Sequence, residues 1–221
     1  MKNEGSSQDR PYLLHFVTVE IFANSHNPSA LTPDFLASKQ IVPAGWIIKS
    51  ARPSLEESVL QYENGVQWRM DPERLQIGQY IGGPFQEDYP IYKPAEAYLS
   101  NVSVPYRTLR LCYSASIKQE NPTSWIAQRF LPSWLGDESE PKVFATIPTL
   151  FFEAVDALCQ AEIRVGEYRD PTGESEPEEL VVVNGTFEYS EMMDASTLRE
   201  AVSHWPEKQA FFISLLDRLL K

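Results

Sequence analysis

Apolar and polar side chains alternate with a period of two in stretch after stretch of this chain, and a sequence built this way must place most of its apolar residues on one side of a sheet. Leu13, Val17, Val19, Ile21 and Ala23 share one parity with His15, which predicts a first strand with His15 at the edge of its core face. From residue 58 onward Leu60, Tyr62, Val66, Trp68 and Met70 keep one parity, while Gln61, Glu63, Gln67 and Arg69 take the other. Phase survives the Asn64-Gly65 pair, so the loop should contain Glu63, Asn64 and Gly65, with the glycine supplying the left-handed residue of a three-residue hairpin turn.

The same pattern predicts strands over 74–80, over 107–117 with Leu109, Leu111, Tyr113, Ala115 and Ile117 on the apolar face, over 157–165, and over 180–190 with Val181, Val183, Phe187 and Tyr189 facing one way. Cys112 falls opposite the apolar face, whereas Cys159 belongs to it. Helical signals are fewer. Thr32-Pro-Asp-Phe-Leu reads as an N-cap, a proline in the first turn and an acid at the positive helix end, predicting a short helix over 33–39. Another is expected over 94–102. At the C-terminus a helix over 197–204 precedes one with Phe212, Leu215, Leu216, Leu219 and Leu220 at helical spacing, opposed by Glu207, Lys208, Asp217 and Arg218. That amphipathic helix should cover one face of the sheet.

These readings give an α+β protein: mainly antiparallel sheet in two β-rich halves, with short helices and a C-terminal amphipathic helix. Residues 1–10 read as a disordered N-terminus, 11–120 as a first half, 121–141 as a junction rich in Pro, Trp and acids, and 142–221 as a hairpin plus C-terminal helix, packed with the first half as one unit. A faint internal similarity sets Glu56-Glu57 and Asn64-Gly65 beside Glu178-Glu179 and Asn184-Gly185. The acidic stretch 167–179 reads as a mobile, solvated loop.

Thirty-one acids against 19 bases give a net charge of −12, which opposes approach to nucleic-acid backbones and anionic membranes and suits a partner with a basic surface. No signal-peptide or membrane-spanning stretch is present in the sequence, and two unpaired-looking cysteines fit a reduced cytoplasmic setting. Gly-x-Ser-x-Gly, a phosphate-binding Gly-Lys-Ser/Thr loop and His-Glu-x-x-His are all missing, and Gly82-Gly83 runs into Pro84 rather than a helix start. Neither a cofactor nor a metal is implied. Pro33-Asp34 with Glu140-Pro-Lys142 mimics a nuclease motif, but a proline interrupts it.

Two groups are candidates for recognition. Asn24, His26, Asn27, Asp34 and Trp46 place a polar turn beside a capped helix and an indole, a mixture suited to a peptide or small ligand. Trp125 and Trp134, with Phe130 and Leu135, would either pin the two halves together or anchor another protein. The expectation is a non-enzymatic, protein-binding or accessory subunit. The alternatives are an acidic inhibitor or nucleic-acid mimic, and an enzyme whose site is assembled from distant residues around His26 or His204. The segment His26-Asn-Pro-Ser-Ala-Leu-Thr-Pro-Asp-Phe-Leu, with Ile41-Val-Pro and Trp46, resembles the opening of an uncharacterised bacterial family of similar length, a resemblance that implies a bacterial cytoplasmic protein and no catalytic residue.

Overall fold

The alternating stretches pair into one nine-stranded antiparallel sheet in the computed structural model, which describes residues 11–131, 147–154, 156–168, 177–190 and 194–221. In chain order the strands are β1 (Tyr12–Ala23), β2 (Ile48–Arg52), β3 (Ser58–Tyr62), β4 (Val66–Met70), β5 (Arg74–Gly83), β6 (Tyr106–Ile117), β7 (Thr149–Ala154), β8 (Ala157–Tyr168) and β9 (Glu178–Tyr189). Across the sheet they lie in the order β2-β3-β4-β5-β1-β6-β9-β8-β7. The helices are α1 (Pro33–Ser38), α2 (Tyr92–Asn101), α3 (Pro122–Phe130), α4 (Ala195–Ser203) and α5 (Trp205–Leu219), with a 3-10 turn at Pro28–Ala30.

Read outward from the β1/β6 seam, the two sides follow the same path: a central strand, helical chain, then strands that return from the outside until the last one pairs with the first. On one side β3, β4 and β5 lead into α2; on the other β7, β8 and β9 lead into α4, and the two helices pack together. The Asn-Gly similarity marks a different pair of places. Asn64-Gly65 ends in the β3–β4 turn, whereas Asn184-Gly185 lies inside β9, so those dipeptides are not equivalent in the fold.

The β3–β4 hairpin has the anticipated loop. Ser58 pairs with Met70 and Leu60 with Trp68, which leaves Glu63, Asn64 and Gly65 to turn the chain. Gly65 sits at φ +84°, and the Asn64 side-chain oxygen accepts from the Val66 amide at 3.1 Å. Thr32 caps α1 by accepting from the Phe35 amide at 3.2 Å.

Four local expectations change. First, a bulge at His15 shifts the register between Leu14 and Phe16, so Tyr12 and Leu14 rather than Leu13 enter the core, and Leu13 is 48% exposed. Second, α2 begins two residues before the predicted 94, because Pro94 is tolerated in a first turn that Ile91 and Tyr92 open from the core. Third, the stretch around Trp125 is a helix. Asn121 caps it by accepting from the Ser124 amide at 3.1 Å, Ile126 is buried, and the helix packs on β8 and β9. Fourth, Lys208 is not on a solvated face: it is 4% exposed, with its ammonium against Asp156.

One hydrophobic cluster gathers the core-facing parity of the strands with Leu36 of α1, Tyr98 and Leu99 of α2, Ile126 of α3, Leu198 of α4 and Phe212 and Leu216 of α5. All five helices therefore contribute to the same side of the sheet. The approach of α5 depends on Gly185, since a Cβ there would stand 2.6 Å from the Phe212 ring. A side chain at position 185 would push the helix off β9.

Candidate functional site

Asn24, His26 and Asn27 come together in the turn after β1, where each makes local hydrogen bonds. His26 is 5% exposed; its Nε2–H donates to the Ile21 carbonyl at 3.0 Å, and the Tyr98 hydroxyl donates to Nδ1 at 3.1 Å, the neutral tautomer these partners select. Desolvation lowers its pKa, partly offset by the Ile21 hydrogen bond and the charge of Asp71. Asn27 is exposed and accepts from Ser29 Oγ at 2.7 Å, and the Asn24 amide donates to the Pro105 carbonyl at 3.1 Å. Asp34 is exposed in the first turn of α1. Trp46 is half-buried and packs edge-on against Tyr62, with ring centroids 5.0 Å apart, rather than beside His26.

Trp125 is half-buried on α3, with Phe130 edge-on at 6.3 Å and the Arg129 guanidinium 4.6 Å from its ring centroid. Trp134 and Leu135 lie outside the described residues, as do Asp137, Glu138, Glu140 and residues 169–176 of the acidic stretch. That Trp125 and Trp134 pin the two halves or anchor another protein therefore stays an expectation from sequence.

The reactive side chains are disposed as packing groups. Burial pushes the thiols of Cys112 and Cys159 up to about 12, so neither is a ready thiolate near neutrality. His15 Nε2 meets Ser116 Oγ at 2.7 Å. Among the described residues, one cluster of ionisable side chains from distant positions joins Asp156, after β7, to His204 and Lys208 at the α4–α5 junction and Tyr189 at the end of β9. His204 Nδ1 stands 3.2 Å and the Tyr189 hydroxyl 3.5 Å from Asp156 Oδ2, and the Lys208 ammonium contacts Oδ1. Burial raises the Asp156 pKa, but the hydrogen bonds from Lys208 and His204 outweigh it and hold the carboxyl below its ordinary value. His204 and Asp156 are 44% and 34% exposed, which places the pair at the surface rather than in a closed cleft.

A feature the motif search missed lies on the other side of the sheet. There the polar parity of each strand faces away from the helices, and the strand registers line these residues into rows. Gln67 pairs with Gly78, Gly78 with Thr18, Thr18 with Cys112, Cys112 with Thr186, and Thr186 with Gln160. Between the two glutamines the row is short-chained, Gly78, Thr18, Cys112 and Thr186, and mostly longer side chains flank it. On one flank are Arg69, Gln76, Glu20, Arg110 and Glu188; on the other are Tyr80, Phe16, Ser114, Asn184 and Glu162. The result is a furrow running across the strands, whose β4–β1 end opens as a hollow of about 280 Å³.

Its rim is aromatic at that end and electrically balanced along its length. Phe16 and Tyr80, 49% and 51% exposed, meet edge to face at 5.2 Å. Arg69 pairs with Glu57 at 2.5 Å, Arg74 with Glu20 at 3.4 Å, Arg110 with Glu188 at 2.6 Å and Arg164 with Glu162 at 3.6 Å. Arg110 also lies 4.8 Å from the Phe22 ring centroid. Such half-exposed pairs add little stability, so their effect is to cancel charge on a face of an otherwise acidic protein. The polar parity was visible in the sequence, but the row was not, because only the pairing of strands far apart in the chain brings Gln67 and Gln160 into line.

Among the described residues no group of three or more His, Cys, Asp or Glu could hold a metal ion, and no helix is long and apolar enough to cross a membrane. No protein-family model matches the chain, and no curated protein is significantly similar to it.

Proposed function

We propose that this is a non-enzymatic binding protein, an accessory subunit that meets a partner protein through the helix-free face of its sheet. One observation carries this reading: among the described residues helices cover one side of a nine-stranded sheet and none lies on the other, which bears exposed aromatic rings beside a furrow with paired charges. Rings that are large, stiff and half-exposed are typical anchors of protein interfaces. A partner with a basic surface, as the net charge of −12 suggests, would be met beyond this neutral face, for instance along the exposed Glu87, Asp88, Glu200 and Glu207. A photo-crosslinking amino acid at position 80 should trap a discrete protein that then forms a defined complex with the purified chain. The same probe at position 93, on the helical side, should not. Equal labelling from both positions would contradict the reading.

A second reading rests on Asp156, His204, Tyr189 and Lys208, which bring a carboxylate, an imidazole, a phenol and an ammonium together. This is the arrangement an enzyme assembled from distant residues would require. A metabolite-turnover screen in which activity disappears in Asp156→Asn and His204→Gln would favour it over the binding role.

A further inference from the structure

The furrow has a composition and a length that specify its occupant more closely than exposure alone. Its floor, Gln67, Gly78, Thr18, Cys112, Thr186 and Gln160, crosses six strands. At the usual strand spacing the two glutamines stand about 24 Å apart, the span of about seven residues of extended polypeptide. Gly78 keeps the floor open, since a Cβ there would press on Thr18 Oγ1 at 3.1 Å.

We infer that the furrow receives an extended, uncharged segment of a partner polypeptide, about seven residues long, laid across the strands with one apolar side chain against Phe16 and Tyr80. This deepens the protein-binding reading above and rests on it. A carboxamide offers one acceptor and an N–H donor, the same pair that a peptide group presents, so Gln67 and Gln160 can each satisfy a backbone unit at either end of the segment. Gln61, paired with Gln67, and Gln76 add two more carboxamides on the β4 side. The charge balance selects against the alternatives. Along the rim itself Arg69, Arg74, Arg110 and Arg164 are each paired with a glutamate, so among the described residues the unpaired charges of this face, Arg52 on β2 and Glu153 on β7, stand beyond the ends of the floor, where a phosphate chain or a basic peptide lying in the furrow would not be held along its length.

The test is selection of phage-displayed linear dodecapeptides on the full chain, followed by affinity measurement of the synthetic winners by fluorescence anisotropy. Winners should carry an uncharged stretch with one aromatic or large aliphatic residue. Thr186→Tyr, which fills the floor next to Gln160, should weaken them at least about tenfold, and Gln67→Ala by about threefold to tenfold. Arg199→Ala on the helical side should leave affinity unchanged, and all variants should keep the parent melting temperature. If Thr186→Tyr is unstable, Gln160→Ala, which removes the carboxamide at the end opposite Gln67, takes its place and should weaken the winners by about threefold to tenfold.

Winners insensitive to Thr186→Tyr, Gln67→Ala and Gln160→Ala would overturn the furrow while leaving the protein-binding role intact. Winners dominated by charged residues would overturn the uncharged occupant. Selection that yields no peptide, with a neutral oligosaccharide array binding the parent and not Thr186→Tyr, would make the occupant a sugar chain and overturn both. No binder of either kind would make the furrow inert.

Discussion

The two faces of the sheet carry opposite kinds of specificity. On the covered face, side chains are fixed by shape: Phe212 stacks on Tyr113 at 5.5 Å, stands over the bare Gly185, and is wholly buried. On the uncovered face, side chains are fixed by charge and register, with short residues in line and arginines held beside glutamates. A close-packed face resists any change of volume, whereas a solvated one tolerates change in structure and answers for it in recognition.

The largest effect belongs to Phe212→Ala, which should cost about 3–5 kcal/mol of unfolding free energy by removing a buried ring from the α5–β9 contact. Urea denaturation measures it, and a loss below about 1 kcal/mol would show that α5 is not wedged onto the sheet as described.

Asp156→Ala comes next. It strands the 4%-exposed Lys208 ammonium, and because Asp156 is itself 34% exposed, the loss should be about 2 kcal/mol rather than the full cost of breaking a buried pair. Adding Lys208→Met should restore most of it. A double variant as unstable as the single one would remove the ion pair from the account.

A third effect depends on pH. His26 is neutral in the fold with its pKa lowered, so its contribution is fully present above the unfolded value near 6.5 and declines as pH falls below it. Protonation would turn Nδ1 into a second donor and displace the Tyr98 hydroxyl as its donor. Unfolding free energy should therefore fall on acidification below pH about 6.5, and less so in His26→Gln. His15, whose pKa burial also lowers, leaves a residual slope of the same sign.

The smallest change in stability should come from the uncovered face. Tyr80→Ser and Arg110→Ala should each shift unfolding by no more than about 0.5–1 kcal/mol, while Tyr80→Ser reduces peptide binding at the furrow. A large loss of stability from either would erase the distinction between the faces.

How much of this was readable follows from which signals are local. Alternation at 60–70 and 107–117 reports the strands and their core parity directly, and Thr32-Pro33 reports the start of α1. The bulge at His15 was hidden because a single extra residue leaves no mark on composition, yet it reverses the faces of everything before it. Lys208 looked solvated because its helical neighbours Glu207, Asp217 and Arg218 are polar, and its partner Asp156 is 52 residues away. The furrow required registers between β4, β5, β1, β6, β9 and β8, a set of long-range pairings that no window of sequence contains. His26 and Trp46 are the residue types of a recognition turn in the sequence, and in the fold the first hydrogen-bonds Tyr98 while the second packs edge-on against Tyr62.

The place of β1 has a consequence for how the protein is made. Among the described strands it is made before its neighbours β5 and β6, so it stays without one partner until about residue 83 has emerged and without the other until residue 117. Closing these contacts over long spans of chain is entropically slow. A nascent chain halted in the linker after α2 would carry the β1 edge that β6 normally covers, inviting a chaperone or a second copy of itself to take the vacant seat.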